Sequence, residues 1–323
     1  MKPALQSLPN HRQPPKATVA ESPSQIQPSA TASRSDNPQG VLSKMATATA
    51  KKELAHSSGL FVVMASDKGG VGKSFFFRFL AELFRKAKKG VLLYDGDGGT
   101  GSSVRIFGTR DGNGDLLPEQ SPETGIVPYN LRKARPRETL INSATLGGAI
   151  TMHDLPGGAF DAMSEIADGG DESLVGIFEG IISEGQQPII MHLVHHEDES
   201  TESVARYLDA TEGLNVKHVA VLNYRDADGR DDFEMWYGFR DESGEQVGGR
   251  TRERLLAAGG FEIVVPKLAP SAASRIKRYN LTFEQATTDK RLTLAQRSQV
   301  GRWYREMMKA VMENDAFKSL FKI

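Results

Sequence analysis

From about residue 57, short apolar runs alternate along the chain with stretches of helical spacing. The runs predict strands at 59–65, 91–94, 148–153, 188–194, 216–223 and 261–265. The intervening spacing predicts helices at 73–88, 136–146, 171–184, 200–211, 250–258 and 292–314. Continuous apolar strands alternating with helices are typical of a mostly parallel sheet with helices on both faces. We therefore expect an α/β, Rossmann-like fold whose ligands bind at the carboxyl ends of the strands.

The chain divides by composition into three parts. Residues 1–55 are rich in Pro, Ser, Ala, Gln and Thr, and predict a disordered, mildly basic tail that is either solvated or a weak arm for DNA or a partner. A main domain is expected at 56–314 and a short amphipathic tail at 315–323. Two insertions interrupt the main domain, at 107–125 and 224–249. The second contains several aromatic residues and predicts either a solvent-facing hairpin pinned by them or a docking surface.

Composition narrows the classes of function. The chain has 323 residues, a net charge of −1 and no cysteine. Contact with nucleic acid or a membrane would therefore need a local patch, and disulfides, thiolate catalysis and cysteine-ligated metal sites are excluded. The apolar runs are too short to span a bilayer, and the N-terminus lacks the apolar core of a secretory signal. We expect a cytoplasmic protein, with association to a nucleoid or membrane surface left open.

A glycine-rich segment joins the first strand to the first helix and reads SDKGGVGKS from Ser66 to Ser74. This nearly satisfies the phosphate-loop pattern in its required strand–turn–helix context. Glycines let backbone N–H groups wrap a phosphate, and the helix N-terminus adds partial positive charge. Lys73 is expected to reach the β- and γ-phosphates, and the Ser74 hydroxyl to bind Mg²⁺. The residues expected to contact the nucleotide here are Gly69, Gly70, Val71, Gly72, Lys73, Ser74 and Phe75.

The segment departs from the ordinary motif in two places. Asp67 stands where the motif has glycine, and a second lysine, Lys68, opens the string KGGVGKS. In this the chain resembles the ParA/MinD family of deviant Walker A P-loop ATPases. The resemblance implies an ATP-bound homodimer in which Lys68 reaches the partner's nucleotide. The aromatic residues 75–77 replace the small polar residues common after the motif, which indicates helix packing.

Two more strand ends extend the resemblance. Asp95-Gly96-Asp97 is similar to the family's Asp-x-Asp, which implies that Asp95 helps to organise Mg²⁺ and that Asp97 orients the attacking water. Glycines replace the Pro-Gln that usually follows, so slow hydrolysis is expected. The string HDLPGG, which contains Asp154 and Gly157, resembles the Walker B strand and switch II. Asp154 would then hold Mg²⁺ through water, and the Gly157 amide would sense the γ-phosphate.

Weaker matches concern the base and the surface. Asn223 and Pro266 lie where relatives contact adenine, although Asn223 is otherwise an ordinary residue for a turn. Arg275, Lys277 and Arg278 lie where relatives bind non-specific DNA, and a solvated helix face is the alternative. The tail at 315–323 is superficially similar to the membrane-binding end of MinD. The alternative is that the terminus simply packs onto the domain or frays.

Three histidines, His192, His195 and His196, precede the acids of 197–199. Their spacing matches no firm metal-ligand pattern, and a polar loop after a strand explains them equally well. The overall prediction is an Mg²⁺- and ATP-dependent dimerisation switch that positions or partitions a cargo. That cargo is expected to be plasmid or chromosomal DNA bound through an adaptor protein. A membrane-surface regulator of the MinD type and a metabolic ATP-dependent enzyme are the alternatives.

Overall fold

The structure, a computed structural model, describes residues 59–98, 102–166 and 172–323. The side chains of Ser102, Glu172 and Ser173 are not described. The predicted tail at 1–55 lies outside the described residues.

The described residues form nine strands, seven of them in one parallel sheet. The strands are β1 (Gly59–Ala65), β2 (Val91–Asp95), β3 (Val127–Pro128), β4 (Ile150–Asp154), β5 (Gln186–Val194), β6 (Lys217–Asn223), β7 (Phe239–Arg240), β8 (Gln246–Val247) and β9 (Phe261–Val265). The sheet has the order β3-β2-β4-β1-β5-β6-β9, and each pair of neighbours is parallel. Strands β7 and β8 form a separate antiparallel pair. The six predicted strands and the parallel sheet are confirmed, and the short β3 was missed.

Thirteen α-helices occur in the described parts of the chain. They are α1 (Lys73–Lys86), α2 (Ser102–Phe107), α3 (Ala134–Arg137), α4 (Thr139–Asn142), α5 (Ala159–Ser164), α6 (Glu172–Ser183), α7 (Asp198–Ala210), α8 (Glu234–Tyr237), α9 (Arg250–Ala257), α10 (Pro270–Tyr279), α11 (Phe283–Ala286), α12 (Leu294–Met312) and α13 (Asp315–Phe321). Within these described parts, no helix combines the length and apolar character needed to cross a bilayer.

Both faces of the sheet are covered because alternate residues of each strand point to opposite sides. Along β1, Val62 and Met64 belong to the core formed with α1 and the C-terminal helices. Phe61 and Val63 belong to the second core, formed with α5 and α6. The prediction of helices on both faces is therefore confirmed.

The helix predicted at 136–146 is wrong as a continuous element. The chain instead forms α3, α4 and a 3₁₀ turn at Ser143–Leu146. Two hydroxyls in this stretch turn back onto their own backbone, since Ser143 Oγ donates to the Leu140 carbonyl at 2.7 Å and Thr145 Oγ1 to that of Asn142 at 2.8 Å. Such local bonds compete with regular helix, and Pro136 adds a residue without an N–H donor.

The segment 224–249 is anchored by its aromatic residues. Phe233 and Trp236 are buried, and the Trp236 indole donates to Glu262 at 2.7 Å. The hairpin expected there is reduced to the two residue pairs of β7 and β8.

The C-terminal helix α13 packs onto the domain. Phe317 and Phe321 are both buried, and the Phe321 ring lies 4.9 Å from that of Phe84 on α1. The Asn314 side chain caps the helix by accepting from Phe317 N at 3.0 Å. Packing of the terminus is therefore favoured over the membrane-binding alternative, because the aromatic rings that would enter a bilayer lie in the core.

Candidate nucleotide-binding site

The phosphate loop spans the turn between β1 and α1. Gly72 caps α1 with φ 102°, a left-handed conformation that suits glycine. A Cβ at Gly72 would lie 2.4 Å from the amide nitrogen of Asn223. That amide donates to the Val71 carbonyl at 2.8 Å, so the end of β6 supports the loop from one side. Arg225 adds a 2.7 Å bond to the Gly70 carbonyl.

Lys73 lies at the centre of the loop with its ammonium turned inward. Its Nζ donates to the carbonyls of Ser66 at 3.0 Å and Lys68 at 2.8 Å. Burial lowers the pKa of Lys73 to about 8, against the opposing attraction of Asp154. A buried cation bonded to its own loop can exchange those carbonyls for phosphate oxygens.

Two carboxylates meet at the ends of neighbouring strands. Asp95 and Asp154 are register partners of β2 and β4, and both are buried. Asp154 accepts a 2.8 Å bond from Ser103 Oγ and another from the Ser74 hydroxyl. Within the described residues, Asp95 Oδ2 and Asp154 Oδ1 have no hydrogen-bond partner.

Burial and mutual repulsion set the protonation of this pair. Burial first, and then the charge of Asp154, raises the pKa of Asp95 to about 7. Burial likewise raises the pKa of Asp154, against the bonds from Ser74 and Ser103. Two facing carboxylates with free buried oxygens form a set of hard oxygen ligands suited to a divalent cation.

The predicted switch residues are linked by an arginine that the sequence did not single out. Arg132 donates to Asp97 Oδ1 and to the Gly157 carbonyl, each at 2.9 Å. Gly157 approaches the phosphate loop so closely that a Cβ there would lie 3.2 Å from Gly69 N. Arg132 follows β3, and a lone arginine in a loop gives no sequence signal of such a role.

Asp67, the residue that replaces glycine in the ordinary motif, joins the loop to α5 and α7. Its carbonyl accepts from Gly158 N at 2.9 Å. Its carboxylate accepts from Phe160 N at 3.3 Å, from Ser203 Oγ at 3.1 Å and from Arg206 at 3.1 Å. The aspartate therefore fixes the loop by its side chain.

Arg78 is a buried cation on α1 that the sequence did not reveal. Its Nε donates to the Ser74 carbonyl at 3.2 Å, and its guanidinium lies 5.5 Å from the ring centres of both Phe75 and Phe283. Burial lowers the pKa of Arg78. Phe75 also packs edge-on against Trp303 at 5.0 Å, in agreement with the packing predicted for residues 75–77.

Most of the expected site residues surround a cavity of about 670 Å³ at the carboxyl ends of the strands, whereas Lys68, Val71 and Asp95 do not line it. The lining includes Gly69, Gly70, Gly72, Lys73, Ser74, Phe75, Asp97, Asp154, Gly157, Asn223 and Pro266. Arg78, Arg132, Arg225, Leu268 and Lys277 also line it and were not predicted to do so. Both polar atoms of the Asn223 side chain form hydrogen bonds with the backbone. Nδ2 donates to the Val71 carbonyl, and Oδ1 accepts from Arg225 N at 3.1 Å. Its role at adenine remains a prediction.

Lys68, the second lysine of the motif, turns away to the loop between β5 and α7. Its ammonium forms ion pairs with Glu197 and, at 3.4 Å, with Glu199. The carboxylate of Glu197 raises the pKa of Lys68, and the lysine in turn lowers the pKa of Glu197. The contact across a dimer interface predicted for Lys68 remains a prediction.

The predicted basic residues of α10 differ in their surroundings, and their contact with DNA remains a prediction. Arg275 donates to the Tyr279 hydroxyl at 3.0 Å. Lys277 and Arg278 instead line a hollow with Arg105, and Lys277 also lines the main cavity. Three cations from α2 and α10 thus lie beside the candidate nucleotide site.

No family model matches the chain, and no curated protein matches its sequence. Among solved structures, the chain is similar to a nucleotide-binding protein from Archaeoglobus fulgidus in complex with ADP, at 18% identity, over 83% of this chain and 94% of that one, with a TM-score of 0.39. It is similar to the cell division protein MinD from Aquifex aeolicus at 15% identity, over 77% and 97% of the two chains, with a TM-score of 0.38. It is also similar to MinD from Pyrococcus horikoshii with Mg-ADP, at 14% identity, over 80% and 99%, with a TM-score of 0.42. At these identities and TM-scores, what the chain does has to be inferred from its own residues.

Proposed function

We propose that the chain is an ATP-binding and ATP-hydrolysing switch of the ParA/MinD type, which dimerises around nucleotide and positions or partitions a cargo. The observation that carries this proposal is the convergence of three strand ends on one cavity. Lys73 follows β1, Asp97 follows β2, and Asp154 ends β4. Phosphoryl transfer needs a cation at the phosphates, a metal ligand set and a group that positions water, and the three supply these together.

The residues of the site fit Mg-ATP. Lys73 and the backbone amides of residues 69–74 would hold the phosphates, while Ser74, Asp95 and Asp154 would hold Mg²⁺ directly or through water. The unpaired buried oxygens of Asp95 and Asp154 support this assignment, because a buried carboxylate oxygen without a partner is costly. Bound Mg²⁺ supplies neutralisation of the charge that develops on the phosphates.

Asp97 is the residue that we assign to orienting the attacking water. Its carboxylate is about half exposed at the cavity, and Arg132 holds one of its oxygens. The altered sequence after Asp97 is consistent with slow turnover, which suits a switch whose ATP state must persist long enough to act.

Lys68 is the residue that we assign to coupling ATP binding to dimerisation. In the described structure it is held within its own chain by Glu197 and Glu199. Exchange of these carboxylates for the nucleotide of a second copy would couple dimer formation to ATP, because the ligand then favours one arrangement of the lysine over the other.

The cargo that we propose is plasmid or chromosomal DNA, bound through an adaptor and retained by non-specific contact with the backbone. The hollow formed by Arg105, Lys277 and Arg278 supports this contact, because clustered cations suffice to neutralise phosphates without reading bases. Arg275 lies on the same helix and would contribute where its bond to Tyr279 is released.

Analytical ultracentrifugation with ATP and Mg²⁺ tests the proposal on the wild type, Lys68→Ala and Asp97→Ala. We expect an ATP-dependent dimer that Lys68→Ala abolishes and that Asp97→Ala retains because hydrolysis is blocked. Addition of non-specific duplex DNA should shift the ATP-bound dimer to larger species, less so for Arg105→Ala/Lys277→Ala/Arg278→Ala. A wild type that stays monomeric with ATP would refute the dimerisation switch, and a small-molecule product formed in step with ATP would indicate a metabolic enzyme.

A further inference from the structure

The loop between β5 and α7 brings together two imidazoles and a carboxylate. His195, His196 and Glu197 each offer a ligand atom, and these atoms lie within 4.8 Å of one another. His192, the third histidine of the segment, is not part of the group, because its Nε2 bonds to His218 Nδ1 at 3.0 Å. Of the three histidines in this segment, the structure therefore brings only His195 and His196 together with the carboxylate of Glu197.

One nitrogen of each imidazole is left without a hydrogen-bond partner among the described residues. His195 is 6% exposed, and the Nδ1 atoms of His195 and His196 are buried without a hydrogen-bond partner among the described residues. His195 Nδ1 lies 3.3 Å from Glu197 Oε2 without the geometry of a hydrogen bond. Buried polar nitrogens are rarely left in this way, so the group calls for an additional partner.

Asp226 fixes which nitrogen of His195 is free. His195 Nε2 lies 3.2 Å from the Asp226 carboxylate, which as an ion can only accept, so the ring hydrogen belongs on Nε2. The Nδ1 atom is then the nitrogen that lies towards the Glu197 carboxylate, and it has no hydrogen-bond partner among the described residues. A divalent cation bound to this nitrogen and to the Glu197 carboxylate would satisfy both groups. A carboxylate behind a histidine is also the usual outer partner of a metal-bound imidazole.

We propose that His195, His196 and Glu197 form a binding site for a divalent cation of the zinc class. Two imidazole nitrogens and one carboxylate oxygen match the ligands that zinc takes at three-residue sites, which leave a fourth position for water. Tetrahedral ligands of one zinc ion lie about 3.4 Å apart, so the group would close by roughly 1 Å on binding.

Metal binding would also change the partner of Lys68. Glu197 is an ion-pair partner of that lysine as well as a member of the metal group. Coordination of the carboxylate would withdraw it from Lys68 and leave the lysine only its contact with Glu199, which is 3.4 Å long. This coupling rests on the proposed function, whereas the metal site itself does not.

The site is tested by calorimetric titration of the chelator-treated, tag-free full chain with Zn²⁺, without nucleotide and in a millimolar excess of Mg²⁺. We expect one Zn²⁺ per chain, and His195→Gln and His196→Gln should each lose at least the about 10- to 100-fold in affinity that removal of an outer partner costs. Asp226→Asn should lower the affinity about 10- to 100-fold through the outer partner. His56→Gln, which removes a histidine outside the described residues, should bind as the wild type does.

Failure of wild-type binding, or equal binding by His196→Gln, would overturn the site. His196 is only partly buried, so its variant decides the matter even where His195→Gln fails to fold. Absorption of the Co²⁺ complex in the visible range should report a tetrahedral centre that His196→Gln loses. Zinc bound at this site by a chain that never dimerises with ATP would leave the metal site standing and refute the proposed switch alone.

Discussion

The guanidinium of Arg132 donates a 2.9 Å hydrogen bond to the carboxylate of Asp97. Its second bond, to the Gly157 carbonyl, makes one side chain the link between the two segments expected to respond to the γ-phosphate. For Arg132→Ala we expect ATP turnover to fall about 10- to 100-fold, the cost of a misplaced catalytic group. ATP affinity should change much less, because Lys73 and the loop amides remain. Steady-state turnover and equilibrium ATP binding separate the two effects.

Arg135→Ala is the matched control for that variant, because Arg135 is an exposed arginine of the neighbouring helix α3. Its turnover should equal that of the wild type. Arg132→Lys should recover part of the rate, since an ammonium can replace a single bond of the fork. Equal losses in Arg132→Ala and Arg135→Ala would show that only surface charge matters.

Release of Lys68 from its own chain should favour the ATP-bound dimer. Glu197→Gln removes the carboxylate from its ion pair with Lys68. Both side chains are partly exposed to solvent, so the fold should tolerate the change. We expect the protein concentration at half-dimerisation with ATP to fall severalfold. Glu202→Gln, at an exposed acid of helix α7, which begins one residue after Glu197, should leave it unchanged. Weaker dimerisation of Glu197→Gln would mean that the glutamate supports the dimer instead of restraining the lysine.

The paired carboxylates should make the nucleotide-free protein less stable as pH rises. The folded pKa of Asp95 is about 7 against 3.8 for the free side chain, so between these values the folded state binds more protons than the unfolded one. Stability from this group is complete below about pH 4 and is lost by about pH 7.

Asp95→Asn should therefore raise the melting temperature at pH 8 without Mg²⁺, by about 2–4 °C for each kcal/mol of relieved repulsion. At pH 4 the variant and the wild type should melt alike. Thermal unfolding followed by circular dichroism measures both, with the exposed Asp231→Asn as the control. A lower melting temperature for Asp95→Asn at pH 8 would contradict the repulsion.

Much of the fold, and those site residues that belong to the glycine-rich loop and to strand ends, could be predicted from local sequence. Strand runs such as 59–65 are apolar throughout because both faces of a parallel sheet are covered. The GKS sequence between a strand and a helix is typical of a phosphate loop and is found in few other settings. Lys73, Ser74 and Asp154 were therefore predictable, and the structure brings them to one cavity. Their expected contacts with ATP and Mg²⁺ stay predictions.

Residues whose role depends on distant partners were not predictable. Arg132 meets Asp97 across 35 positions, Arg206 meets Asp67 across 139, and neither spacing leaves a periodic trace. The break at 136–146 has the same origin, because hydroxyl bonds to nearby carbonyls outweigh weak helical preference.

The C-terminal helix should be part of the folded core. Phe317 is fully buried, so Phe317→Ala is expected to cost about 3–5 kcal/mol of unfolding free energy through the cavity it leaves. Met312→Ala, at a side chain that is 39% exposed, should cost far less. Urea unfolding at equilibrium provides the comparison. Unchanged stability in Phe317→Ala would mean that the segment detaches freely, as a membrane-binding tail requires.

ATP affinity should fall as pH rises through the pKa of Lys73. Burial places that pKa at about 8, so the ammonium that faces the phosphates is lost above this pH in the free protein. Affinity should then decline by up to about tenfold per pH unit, since binding must recover the proton. Lys73→Arg keeps its charge throughout, so its weaker affinity should stay flat between pH 8 and 10.

The stability of the nucleotide-free protein should move in the opposite direction over the same range. Between pH 8 and the ordinary lysine pKa of 10.5, the unfolded chain binds more protons than the folded one, so stability from this group rises with pH. Titrations with a fluorescent ATP analogue and thermal melts on the same samples measure both trends. A parallel loss of affinity and stability would instead indicate general alkaline unfolding, and an identical decline in Lys73→Arg would assign the proton to another group.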